Sequence, residues 1–205
     1  MGMAVGKEVF SQILARAEGV RRAQGLSKKS LAWFRRRVDQ ATKGEKVSFK
    51  SLMSKQDALV AKLFLGRMYH FRYDPKWKNK LPYWDIFPLV IPIDFDSDGF
   101  SGLNLHYLPP KLRARLFDSL TAVLSDEGLN DRAKFRITYQ LLSGVKKYRL
   151  FKPTFKRYLY KHVRTRFLWI HPTEWQIALF LPTQKFRMAK AARVWTDSRK
   201  IARGR

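Results

Sequence analysis

Residues 86–108, IFPLVIPIDFDSDGFSGLNLHYL, set two extended apolar runs on either side of a short acidic turn. Asp and Ser side chains bond their own backbone and Gly accepts positive φ, so Asp96-Ser97-Asp98-Gly99 predicts a tight hairpin turn. A lone hairpin with arms this apolar is unstable in water, so the rest of the chain must cover it with further strands or helices. Pro88 and Pro92 stand two residues either side of Val90. Their missing N–H groups then fall on one edge, which makes the first arm an edge strand or an irregular one.

The same turn opens like a calcium loop, with Asp94, Asp96 and Asp98 at alternate positions and Gly99 after them. Such a loop needs a bidentate glutamate at its twelfth position. That position is Leu105, and the flanks are extended rather than helical. A magnesium nuclease site needs more carboxylates or a lysine from elsewhere. Asp74 and Asp85 are present in the middle segment, but in no recognisable nuclease spacing. The turn is the favoured reading, and no metal or cofactor is assigned. The four histidines, His70, His106, His162 and His171, are scattered, and His106 in NLHYLPP has no acidic neighbour in sequence, so it reads as a packed, hydrogen-bonded histidine. No nucleophile elbow, phosphate-binding glycine loop or paired catalytic carboxylates occur, so no catalytic residue is named and the chain does not read as an enzyme. With no cysteine, disulfides, thiolate zinc sites and cysteine nucleophiles fall away together, which fits a reducing compartment.

The remaining segments predict an α+β fold. A small antiparallel sheet over about residues 66–108 would pack with a mainly helical C-terminal half, and residues 1–65 would form a basic helical arm outside a core domain of 66–205. Apolar residues recur at helical spacing in 7–24, and Ser27 is placed to cap a helix containing SLAWFRRRV. A third arm helix is expected over 54–65, ending near Gly66. GRMYHFRYDP alternates as a strand should, and Asp74-Pro75 stops it. After Pro109-Pro110, helices are expected at Leu112–Val123 and, from a cap at Asn130 or Asp131, through Val145. Thr154 would cap a shorter helix over FKRYLYKHV, with Phe155, Leu159 and Val163 inward. TRFLWIH reads as a strand, Pro172 opens a helix over EWQIALFL, and the tail after Pro182 reads as one more basic helix. No run of apolar residues is long enough to span a membrane, and the amino terminus lacks the apolar core of a signal peptide.

Charge is distributed unevenly along this plan. The 205 residues carry 42 Lys and Arg against 16 Asp and Glu, a net +26. Residues 1–66 have 14 basic and 5 acidic side chains, residues 67–143 have 11 and 9, and residues 144–205 have 17 and 2. A nearly neutral folding unit is therefore flanked by two cationic segments, and such an excess calls for an anionic partner, nucleic acid first among them. The densest stretch is VKKYRLFKPTFKRYLYKHVRTRF, residues 145–167, with Lys146, Lys147, Arg149, Lys152, Lys156, Arg157, Lys161, Arg164 and Arg166 and no acid. Cations so gathered neutralise phosphates and add salt-sensitive affinity without reading bases. Tyr148, Tyr158 and Tyr160 are placed to stack on unpaired bases at a frayed end.

Long runs of the sequence also resemble a known family. FRYDPKWKNKLPYWDIFPLVIPI, GFSGLNLHYLPPKLRARLFDSL, RYLYKHVRTRFLWIHPTEWQIALFLPTQKF and VWTDSRK are similar to a virion-associated protein of T-even-like contractile-tailed phages, including marine and cyanobacterial relatives. The resemblance covers about residues 66–200 and points to the DNA end protector type, with a neck, tail or baseplate connector as the alternative. It implies a non-enzymatic virion protein, assembled in the host cytoplasm, that binds the ends of packaged double-stranded DNA and protects them from host exonuclease. Its other implied partners are virion proteins of the portal, neck, tail or baseplate, with no membrane and no small-molecule substrate. On that reading Arg187, Lys190, Arg193, Arg199 and Lys200 of the tail join residues 146–166 as phosphate contacts. Tyr73, Trp77, Tyr83, Trp84, Phe87, Tyr107, Trp169 and Trp175 then build the core or a docking face. A basic RNA- or ribosome-associated protein is the reading left if the resemblance fails.

Overall fold

The computed structural model describes residues 59–110, 112–113, 149–170, 175–180 and 183–204. Within them the chain is dominated by a six-stranded antiparallel sheet. Its strands are β1 (Leu59–Val60), β2 (Met68–His70), β4 (Leu89–Phe95), β5 (Gly99–Asn104), β6 (Phe155–Leu159) and β7 (Phe167–Ile170), in the order β1-β7-β2-β4-β5-β6. A separate two-stranded ladder joins β3 (Trp84–Asp85) to β8 (Phe186–Arg187). The helices are α1 (Trp175–Phe180) and α2 (Ala191–Ala202), with 3-10 turns at Leu105–Tyr107, Arg149–Thr154 and Tyr160–His162.

The hairpin forms where the acidic turn places it. β4 and β5 pair from Val90↔Asn104 to Phe95↔Phe100, and the Asp96 amide donates to the Gly99 carbonyl at 3.1 Å across the turn. β4 is an inner strand, flanked by β2 and β5, so the edge-strand expectation fails and the irregular alternative holds. The register shifts between Pro92 and Asp94. That bulge accommodates the proline without an N–H, while the Pro92 carbonyl accepts from the Gly66 amide at 2.9 Å.

The expected helix from Thr154 is not there. Phe155–Leu159 is the edge strand β6, paired with β5 from Gly99↔Leu159 to Leu103↔Phe155. Apolar residues at i, i+4 and i+8 lie on one face of a helix but also on one face of a strand, because four is a multiple of two. Tyr158 decides between them: it is buried at 3% exposure, on the side opposite Phe155 and Leu159. Close approach on both sides of β5, to β6 and to β4, depends on glycine. A Cβ on Gly99 would lie 2.2 Å from the Tyr158 carbonyl oxygen, and one on Gly102 would lie 2.4 Å from a Val90 methyl.

The N-terminal expectation fails where it meets described residues. Leu59 and Val60, expected in the helix 54–65, pair with Leu168 and Phe167 as β1. The helices expected in 7–24 and 27–38 lie outside the described residues, as do those at 112–123 and 131–145 apart from the helical Leu112 and Arg113. A mainly helical C-terminal half is likewise replaced: β6, β7 and β8 all belong to it. TRFLWIH is the strand β7 as read, and α1 and α2 fall within the expected helices, with β8 interrupting the tail before α2.

Tyr69, Phe71, Tyr73, Val90, Phe100, Tyr158 and Phe167 form one buried cluster. Phe71 meets Phe100, Tyr158 and Phe167 edge-on at 5.8, 5.3 and 5.2 Å between centroids. Such geometry sets the positive rim of one ring against the negative face of the next, worth about 0.5–1.5 kcal/mol per pair beyond area burial.

Away from that cluster lies a buried polar network. Asp85 Oδ2 accepts from His106 Nδ1 at 2.7 Å and from Asn104 Nδ2 at 3.2 Å, and Asn104 Nδ2 also reaches the Tyr158 hydroxyl at 3.0 Å. Asp85 Oδ1 accepts the amides of Phe87 at 3.1 Å and Lys185 at 3.4 Å. His106 thus has an acidic partner after all, 21 residues upstream. The His106 carbonyl accepts from Trp195 Nε1 of α2 at 2.9 Å and from Arg113 at 3.1 Å. Buried Arg113 spends its remaining donors on the carbonyls of Leu108 and Leu179 and on Gln184.

Burial would raise the Asp85 pKa, but the His106 ring and the amide donors outweigh it and keep the carboxyl below its usual range. Burial lowers both histidines, His70 to about 3, with the neighbouring His106 ring disfavouring a second charge. The unfolded chain therefore takes up these protons first. Stability should be full above pH about 6.5 and fall as pH drops from there toward 3, which urea unfolding across that range would show. Asp85→Ala removes the acceptor of four donors, among them the buried His106 ring, and should cost about 3 kcal/mol, against a smaller loss for Asp85→Asn, whose amide oxygen still accepts.

Candidate nucleic-acid interface

Two backbone crossings gather cations from distant parts of the sequence. The segment after β2 runs against the turn after β6. The Arg164 amide donates to the Arg72 carbonyl at 2.8 Å, the Arg72 amide donates to Thr165 Oγ1 at 3.0 Å, and the Asp74 amide donates to the His162 carbonyl at 3.0 Å. Separately, the β3–β8 ladder sets Arg187 opposite Trp84. Arg72, Arg164 and Arg187 consequently line one basin of about 570 Å³, with Lys78, Asp74, Trp84 and Met188 completing it.

Four cations here face one carboxylate. Asp74 is bonded by Lys78 at 2.8 Å and by Arg164 at 3.4 Å, and Lys78 first and Arg164 second hold its carboxyl below the usual range. Met188, on the rim beside Arg187, has φ 65 and is exposed. A non-glycine residue in that region is uncommon and tends to sit at binding sites, where surrounding structure holds the strain.

Tyr73 and Trp84 also line a second depression, a groove of about 580 Å³ between the 75–84 loop and β6. One wall is Trp77, Leu81, Pro82, Tyr83 and Trp84, and the other side carries Tyr107, Lys156 and Arg157. Trp77 is 56% exposed, with the Lys76 and Lys80 ammonium groups each 5.0 Å from its ring centroid. Lys156 Nζ lies 4.1 Å from the Tyr107 ring centroid, a cation–π contact. Burial pulls the Lys156 pKa down to about 8.

The residues expected to contact phosphates divide accordingly. Arg164 and Arg187 meet in the basin, while Lys156 and Arg157 belong to the groove. Arg164 and Arg166 also flank a shallow apolar depression with Tyr160, Val163 and Phe167. Arg157 is bonded by Asp96 at 3.0 Å and by Asp98, so the hairpin turn neutralises it locally. Lys152, Lys161, Lys190, Arg193, Arg199 and Lys200 are exposed; Arg193 lies 4.0 Å from Asp197, and Arg199 donates to Thr196 at 3.0 Å. Lys146, Lys147 and Tyr148 lie outside the described residues, and of Arg149 only the backbone is described. Of the tyrosines expected to stack, Tyr158 is in the core instead, and Tyr160 is exposed.

Arg72 and Lys78 were missed because the middle segment is nearly neutral as a whole. The signal for Arg72 was alternation: it stands between Phe71 and Tyr73, both buried, so its side chain must face out. Among the described residues no cluster of His, Asp and Glu could hold a metal ion, and no helix is long and apolar enough to cross a membrane.

A basin lined by three arginines beside a groove that carries an exposed tryptophan suits a nucleic-acid-binding protein. Residues 8–200 match the family described as the Phage T4 terminal DNA protecting protein, and the chain belongs to that family. The match begins well before residue 66, so the N-terminal segment, which the resemblance left out, is part of the family pattern too. No curated protein and no solved structure matches the chain.

Lys156 shares its groove with Tyr83, Tyr107, Asp85, Asp98 and Arg157. Burial raises both tyrosines, which leaves Lys156 to titrate first as pH rises. A phosphate would favour its charged form, so DNA affinity should weaken as pH rises through about 8. Binding titrations from pH 7 to 9.5 should show that loss, and Lys156→Met should flatten the profile.

Proposed function

We propose that this protein binds the ends of linear double-stranded DNA packaged in a phage virion and shields them from host exonuclease, acting by occupancy rather than catalysis. Family membership supports the task. The observation that carries the reading onto these residues is the basin, where Arg72, Arg164 and Arg187 arrive from three separate elements with Lys78 at the rim. Arginine forks present paired donors that match phosphate oxygens bidentately, and three on one surface span more than a single phosphate contact requires. The exposed cations Lys152, Lys161 and Arg166, together with Lys190, Arg193, Arg199 and Lys200 of the tail, extend the field that draws DNA in. The undescribed Lys146, Lys147 and Arg149 belong to the same cationic stretch. In the virion the protein would sit among portal, neck or tail proteins close to the genome terminus.

Linear and circular DNA of one sequence, titrated across a salt series with an exonuclease readout, tests this reading. Preferential binding to the linear form, with protection of its ends, is the expected outcome. Each of Arg72→Gln, Arg164→Gln and Arg187→Gln should reduce the slope of log K against log salt by about 0.9. Equal affinity for both forms with no protection would show that the charge serves assembly with other virion proteins instead.

A further inference from the structure

Apart from Lys156, the aromatic groove has no task in phosphate binding, and its chemistry differs from that of the basin beside it. Its open wall carries Trp77, Tyr83 and Trp84, its far side carries Tyr107 and Lys156, and about 580 Å³ lies between. Volumes of this size are typical of small-molecule pockets. Trp77 is not needed for folding in any visible way: it is more than half exposed and packs against two lysine side chains rather than the core. A large ring held out in water between two cations is poorly placed for stability and well placed for stacking a base whose phosphates those cations would meet.

The lining also excludes other occupants. An apolar peptide would leave Lys156 desolvated with only the Tyr107 ring to meet its charge, which costs free energy. A paired base within a duplex is stacked on both faces and offers no free ring. An unpaired nucleotide supplies both missing partners, a flat ring for the aromatics and an anion for Lys156.

We propose that this groove captures an unpaired nucleotide at the DNA terminus, stacking its base against Trp77 and setting its phosphate by Lys156, while the adjoining arginine basin holds the neighbouring backbone. Tyr73 and Trp84 line both depressions, so base and backbone are read by contiguous surfaces. The proposal rests on the end-binding reading above and adds to it a preference for ends that carry a single-stranded extension.

The experiment uses the full chain and three duplexes of one sequence: blunt, with a three-nucleotide overhang, and with the same overhang made abasic. Stacking is worth about 1–3 kcal/mol per base, so the intact overhang should bind about tenfold more tightly than the blunt end and quench tryptophan fluorescence. The abasic overhang should lose most of that gain. Trp77→Ala, at an exposed position, should erase the overhang preference and the quench. Lys156→Met should reduce the preference through the phosphate. Equal affinity for all three ends in the wild type, or an undiminished preference in Trp77→Ala, would overturn the groove proposal alone. Absence of any linear-over-circular preference, with overhang oligonucleotides still quenching Trp77, would instead sink the end-protection reading and leave the groove as a single-strand site.

Discussion

The carboxylate of Asp85 draws four donors from three parts of the chain onto one buried side chain. It sits on β3 and accepts from His106 and Asn104 at the end of the hairpin arm β5, and from the amides of Phe87 and Lys185 on its own ladder and that of its partner. The two-residue ladder β3–β8 is too short to stand on its own pairing. This buried anion holds the ladder against the large sheet together with the Tyr73 amide, which donates to the Ile86 carbonyl at 2.8 Å, and the Ile86 amide, which donates to the Lys185 carbonyl at 2.9 Å. His106 then passes the constraint on, since its carbonyl takes donors from both Trp195 of α2 and Arg113. A buried polar network of this kind is favourable only when nearly all its members are satisfied, and these members come from four regions of the sequence. Both surface depressions border Trp84, the chain neighbour of Asp85, so this interior contact supports the candidate interface from below.

Much of the sheet was legible because its signals are local. The hairpin β4–β5 follows from two extended apolar runs around Asp-Ser-Asp-Gly, and β7 follows from the dense aromatic and branched residues of TRFLWIH. α1 and α2 were visible from their proline boundaries and basic periodicity. β6 was not, and the reason is geometric. Phe155, Leu159 and Val163 satisfy a helix and a strand equally, and only the burial of Tyr158 breaks the tie. That burial exists because the free edge of β5 is available to pair, which is a tertiary fact. β1 is the same case at the other edge, where Leu59 and Val60 extend because β7 offers them partners. Local propensity favoured helix at both sites, and a sheet edge overrode it.

The candidate site was legible in its charge and not in its geometry. Counting cations singled out residues 145–167 and the tail, and Arg164 and Arg187 do converge. Counting could not show that Asp96 and Asp98 fold back onto Arg157, because the turn that was suspected of holding a metal ion holds an arginine instead. Nor could it find Arg72, whose contribution vanishes in a segment with nearly balanced charge. Averages over a segment hide an arginine that alternation turns outward and a crossing strand delivers to its partners.

Charge by itself would not make an end protector. Neutralising phosphates releases counterions wherever the duplex is touched, and an end offers no denser phosphate than the interior does. A protein relying on Arg72, Arg164 and Arg187 alone would slide along DNA and dwell mostly on internal sites, because those sites outnumber the two ends. What an end has and an internal site lacks is an accessible terminal base. Discrimination must therefore come from a surface that binds ring faces, placed within reach of the cations that supply affinity. On the proposed reading the groove of Trp77, Tyr83 and Trp84 is such a surface, and its junction with the arginine basin at Trp84 puts the two kinds of contact within adjacent depressions. On the proposed reading affinity and end preference are separable: the first would scale with salt, and the second would follow the rings.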